Sequence, residues 1–98
     1  MSLIYQAKEF VSLPRIEVRI VDKMPGCKCA GYAYPGKNIV HIRSDYANNH
    51  PGLTHVVLHE ILHAVLGTDH NDSCFLMNPV LPREFDNDAA WKSFKKYF

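Results

Sequence analysis

Two histidines four residues apart, His59 and His63, stand in the run HEILHAVLGTDH that ends at His70. On a helix, positions four apart lie one above the other on the same face. Two imidazole nitrogens at that spacing can share one metal ion. Glu60, directly after the first histidine, would then lie beside the ion without having to ligate it. A carboxylate so placed can take a proton from a metal-activated water and return it to a leaving group. A catalytic zinc ion uses three protein ligands and keeps one position open for water. The third ligand must come from beyond the helix end, and Gly67 supplies the backbone freedom for the turn that brings the chain back.

The element carrying these residues should be a helix from about Pro51 to Leu66, with Pro51 at its first position and Gly67 as its stop. Val57, Leu58, Ile61, Leu62, Ala64 and Val65 form a broad apolar arc on its wheel. His59 and His63 sit together on one flank of that arc. Ahead of it, Arg15 to Asp22 alternates apolar and charged residues and reads as a half-buried strand. Cys29 to Tyr34 and Ile39 to Arg43 read as a hairpin turned at Pro35-Gly36-Lys37-Asn38, with Tyr32 and Tyr34 on one face. Residues 3–12 have helical spacing and end before Pro14. Residues 24–26 are turn chemistry and 71–83 are irregular. Asp86 or Asp88 can cap a closing helix whose core face is Trp91, Phe94 and Tyr97 or Phe98. The expected architecture is α+β: a small, mainly antiparallel sheet packed on the histidine-bearing helix, with further helices at the N- and C-termini.

The motif is the HExxH pattern of zinc-dependent peptidases. From His59 to Pro79 the chain resembles the metzincin clan of zinc endopeptidases, whose signature is HExxHxxGxxH followed by a methionine turn. HEILHAVLGTDH corresponds to the first part and CFLMNP to the second. The resemblance implies that His59 and His63 bind zinc and that Glu60 is the general base. It also implies that Met77 forms an apolar floor under the metal without binding it. The glycine comes one residue late here, because Leu66 stands where the clan has Gly. Keeping the glycine-to-ligand spacing makes His70 the third ligand, with the extra residue absorbed by a bulge near the helix end. Keeping the spacing from His59 makes it Asp69, which also matches the usual distance to the methionine. Imidazole suits zinc, which favours His70. In the clan the strand ahead of the helix pairs with extended substrate. Lys37 to Arg43, and in particular Ile39, Val40 and His41, would be that edge.

The chain's 98 residues fit one domain, and a core of that size gains from a bound metal. Apolar content of 47% is in the globular range, and a net charge of +1 removes the usual electrostatic case for nucleic acid or an anionic membrane. No apolar run reaches membrane-spanning length. The N-terminus does not read as a secretory signal, so a cytoplasmic location is expected. The three cysteines, Cys27, Cys29 and Cys74, do not form a disulfide framework and read as reduced thiols. Cys27 or Cys29 as a latency thiolate on the metal, and Cys74 as a redox-sensitive neighbour, are subsidiary possibilities. His41, His50 and His55 lie outside the motif, and His55 is expected at the edge of the core or in solvent.

Hydrolysis of peptide bonds in proteins or peptides, with Zn2+ as cofactor, is the expected function. Two rivals share the histidines. A family of single-strand-specific endoribonucleases that mature ribosomal RNA carries a similar HGxLHLxGYDH motif, but it lacks Glu at the position of Glu60. A structural zinc domain would close the fourth metal position, with Asp69 or Cys74 as the available donors.

Overall fold

A computed structural model describes residues 15–22, 30–34, 36–47, 50–71 and 73–97. Three strands, β1 (Glu17–Val21), β2 (Gly31–Tyr34) and β3 (Ile39–Arg43), precede three helices. These are α1 (Ser44–Ala47), α2 (Leu53–Leu66) and α3 (Asn87–Lys95). The α+β architecture expected from the sequence is the one observed.

The strands form one sheet in the order β1-β3-β2. β2 and β3 are the expected antiparallel hairpin, with Tyr34 opposite Ile39 and Gly31 opposite Ile42. Its reversal needs left-handed backbone at Gly36 (φ 78°) and Asn38 (φ 55°), residue types that tolerate it. β1 lies on the other side of β3 and runs parallel to it, Glu17 opposite Ile39, so the sheet is mixed. The alternation of IVHIR sends Val40 and Ile42 to a fully buried face, together with Ala33 of β2. Ile39, His41 and Arg43 take the other face, which is partly open. The helix expected over 3–12, the turn at 24–26 and Cys29 lie outside the described residues. The single turn of α1 follows directly from β3, and Arg43 forks onto the Asp45 carboxylate there at 2.7 and 3.0 Å.

α2 packs against this sheet. Val57, Leu58, Ile61, Leu62 and Ala64 are fully buried, and Val65 is half-buried. The helix begins two residues later than Pro51, because Pro51 and Gly52 form a turn and Gly52 is the N-cap. A Cβ on Gly52 would meet the Phe85 ring at 2.6 Å, so glycine is required there by packing. No side chain caps this end. A missing cap costs about 1 kcal/mol, whereas each fully buried Leu or Ile contributes about 1.5–3 kcal/mol, so the apolar arc dominates. α3 closes the far side of α2. Asp86, not Asp88, is its cap and accepts from the Ala89 N–H at 3.1 Å. Ala90 and Phe94 are fully buried beneath it, while Trp91 and Tyr97 are half-buried.

Candidate metal centre

α2 continues in regular form through Leu66, and Gly67 then turns left-handed at φ 63°. The Gly67 N–H donates to the His63 carbonyl at 3.1 Å, and the Thr68 N–H folds back to Leu62 at 3.3 Å. The late glycine is thus accommodated by one more residue of ordinary helix, not by a bulge. The chain reverses over the helix end and carries His70 back to the histidine face.

His59, His63 and His70 each bring one ring nitrogen into a cluster in which all three lie within 4.8 Å of one another. His63 Nε2 is 3.0 Å and His70 Nε2 is 3.3 Å from His59 Nε2. Zinc–nitrogen bonds of about 2.0–2.1 Å in a tetrahedron put neighbouring nitrogens about 3.3 Å apart, close to these distances. Asp69 is not part of the cluster, so of the two candidates for third ligand the fold brings in His70.

The other nitrogens of the two helical rings show which tautomer is present. His59 Nδ1–H donates to the Leu76 carbonyl at 2.7 Å, and His63 Nδ1–H donates to Thr68 at 2.5 Å. A carbonyl can only accept, so both Nδ1 atoms carry the proton and both Nε2 atoms present lone pairs. Two lone pairs facing each other at 3.0 Å repel unless a cation lies between them. A proton is a poor candidate. Burial, with smaller effects from the neighbouring imidazoles, holds His59 down at about 4 against the Leu76 carbonyl, which favours protonation. Burial likewise lowers His63. Neutral imidazoles with converging lone pairs fit a borderline-soft divalent ion such as zinc.

Glu60 is only 6% exposed and lines the same cleft as His59 and His63, with its side chain against Gly31 of β2. Burial pushes its carboxyl up to about 7. A carboxylate with that value is suited to taking and returning protons near neutrality, and a bound cation would draw it down.

A cleft of about 550 Å³ opens over these residues. Val56, His59, Glu60 and His63 of α2 form its base, Ala30 to Ala33 one wall, and His70, Asn78, Pro79 and Leu81 the other. Among the described residues, no Lys or Arg lines it. Met77 is fully buried in the core, directly after the carbonyl that holds His59.

Gly31 is a residue that reading the sequence missed. A Cβ there would lie 2.9 Å from both Glu60 Cγ and Val56 Cγ1, and 3.1 Å from Glu60 Oε2. Its missing side chain lets β2 approach the carboxylate. A glycine inside a strand pattern was the available signal.

The expected substrate edge moves. Ile39, Val40 and His41 belong to the central strand, whose two sides are already paired with β1 and β2. They have no ladder left to offer. Among the described residues the open edge beside the cleft is β2. His41 instead faces the Tyr34 ring, with centroids 5.1 Å apart. His50 accepts the Gly52 N–H at 2.9 Å. His55 is buried rather than solvated, at 1% exposure, between the rings of Phe75 and Phe85. Cys74 receives the Tyr97 hydroxyl at 3.5 Å and is not in the metal cluster, whereas Cys27 and Cys29 lie outside the described residues. Among the described residues, no helix is long and apolar enough to cross a membrane.

Comparison with protein-family models, curated proteins and solved structures finds no match to this chain.

Proposed function

We propose that the protein is a zinc-dependent peptidase that hydrolyses peptide bonds in extended protein or peptide segments. The observation that carries this reading is the convergence of three imidazole nitrogens beside a buried carboxylate, in a cleft bordered by an open strand edge. His59, His63 and His70 hold the ion. When bound, zinc supplies Lewis acidity, polarising the scissile carbonyl and acidifying a water molecule. Glu60 takes one proton from the attacking water and delivers it to the departing amine nitrogen. The Leu76 and Thr68 carbonyls keep the two helical imidazoles in the ligating tautomer throughout. The edge of β2 that is unpaired among the described residues offers backbone donors and acceptors to an extended substrate.

Among the described residues, three side chains converge on the site and no fourth donor joins them, which supports a hydrolytic site over a structural one. The absence of Lys and Arg from the described cleft lining, together with Glu60, speaks against an endoribonuclease. The helix–turn–histidine arrangement and Met77 keep the likeness to metzincin endopeptidases as the finer form of the proposal.

The test is zinc content by elemental analysis, with cleavage of an unfolded protein and a peptide library by zinc-loaded enzyme. An RNA substrate runs in parallel. Cleavage of peptide that Glu60→Gln abolishes is the expected result. Zinc-loaded protein that cuts RNA but no peptide, or peptide cleavage that survives Glu60→Gln, refutes the assignment.

A further inference from the structure

The edge strand beside the cleft carries an aromatic pair that hydrolysis itself does not need. Tyr32 is 47% exposed, and its ring meets that of Tyr34 edge-on with centroids 5.2 Å apart. Both lie on the sheet face opposite to Ala33, which turns toward α2.

The hairpin ladder determines where an added chain would pair. The Arg43 N–H donates to the Ala30 carbonyl at 2.9 Å, so Ala30 and Arg43 are a hydrogen-bonded pair. With the observed register, Tyr32–His41 and Tyr34–Ile39 are the next bonded pairs. Gly31 and Ala33 fall between them, and their N–H and C=O groups point outward along the edge that no described strand pairs with. An extended peptide would bond to those two residues. Its intervening residue would lie opposite Tyr32, with its side chain on the tyrosine face. The residues on either side would point to the face of Gly31 and Glu60 instead.

We infer that Tyr32, backed by Tyr34, is a specificity subsite that receives an aromatic side chain of an extended substrate, at one position only. The inference rests on the peptidase reading and deepens it. The rings favour an aromatic guest because edge-on aromatic contacts on a strand surface add to simple area burial. Tyr34 holds Tyr32 upright, so the guest meets a ring that is already oriented.

The experiment is positional scanning of a peptide library with wild type, Tyr32→Ala and Tyr32→Phe. In parallel, binding of the same peptides to zinc-loaded Glu60→Gln, with and without Tyr32→Ala, is followed by fluorescence anisotropy. In wild type, kcat/KM for Phe, Tyr or Trp over Ser at one position should be raised about three- to tenfold. Tyr32→Ala should bring that ratio near one, Tyr32→Phe should keep it, and ratios at the adjacent positions should not move. The binding arm should show the same pattern. Cleavage with an aromatic preference that Tyr32→Ala leaves intact overturns the subsite while sparing the peptidase reading. Absence of peptide cleavage overturns that reading, and the binding ratios then decide the subsite alone.

Discussion

Gly31→Ala puts one methyl group where β2 and α2 touch, and its consequences can be worked out from the contacts. The new Cβ would stand 2.9 Å from Val56 Cγ1 and from Glu60 Cγ, well inside ordinary carbon–carbon contact. Val56 is β-branched and helical, with one strongly preferred rotamer, so it yields little. Glu60 is unbranched, and its carboxylate is the group that can swing. Overpacking of this kind costs about 1–3 kcal/mol. Removing a strand glycine regains about 0.5–1 kcal/mol, because Gly31 is not among the positive-φ residues. The net expectation is a loss of about 1–2 kcal/mol, at about 4–8 °C of melting temperature per kcal/mol for a domain of this size. If Glu60 absorbs the strain, the carboxylate proposed as proton acceptor moves by several tenths of an ångström or more. A 1 Å displacement costs about 100-fold in rate. Thermal melts and kcat/KM on one protein preparation separate the two routes, and Gly31→Ala with Val56→Ala should recover much of the stability. A Gly31→Ala variant with wild-type melting temperature and wild-type kcat/KM would show that the strand–helix contact does not constrain Glu60.

The pH dependence of the metal-free protein carries a second expectation. Glu60 holds its proton up to about pH 7 when folded but ionises near 4.5 when unfolded, so its burial costs nothing at low pH, and the penalty builds between pH 4.5 and 7 and is full above 7. Glu60→Gln should therefore stabilise the chelated protein by roughly 1–3 kcal/mol at pH 8 and by little at pH 4.5; equal shifts at both would exclude the burial penalty. For metal binding, chelation should lower the melting temperature, and His70→Ala should lose zinc that Asp69→Ala retains; zinc at 100 times its dissociation constant is worth about 2.7 kcal/mol. Retention of zinc by His70→Ala with loss in Asp69→Ala would reverse the ligand assignment. His55 has neither ring nitrogen partnered among the described residues and sits between two phenylalanines. His55→Phe should thus keep or raise the melting temperature, and a loss above about 2 kcal/mol would reveal a polar partner for the ring.

Local signals in the sequence located α2, α3 and the hairpin well. The apolar arc from Val57 to Val65, the glycine stop at Gly67 and the acidic cap before α3 are chemistry of a few adjacent residues. Non-local facts were not legible. Nothing within Glu17–Val21 states that it pairs parallel to β3 and so places Ile39, Val40 and His41 in the middle of the sheet. The choice between Asp69 and His70 depended on whether the third ligand keeps its spacing from His59 or from the displaced glycine turn. Both are open to a sequence ending LGTDH, and the Gly67 N–H bond to His63 decides it. Gly52 illustrates the same limit: its role depends on the Phe85 ring, thirty-three positions away (85 − 52).

The three candidate metal ligands and the two carbonyls that orient the helical pair, Thr68 and Leu76, all fall between positions 59 and 76. β1, by contrast, must find β3 across the whole hairpin. Chain closure over the short segment is entropically mild, and contacts of small sequence separation form fastest. If the cluster binds zinc as proposed, the ion would be able to engage the helix and its returning loop before the sheet is complete. An ion bound that early would lower the folding barrier itself. Refolding in zinc should then be faster, and not merely followed by slower unfolding, which would make metal supply a determinant of how quickly each new chain reaches its fold.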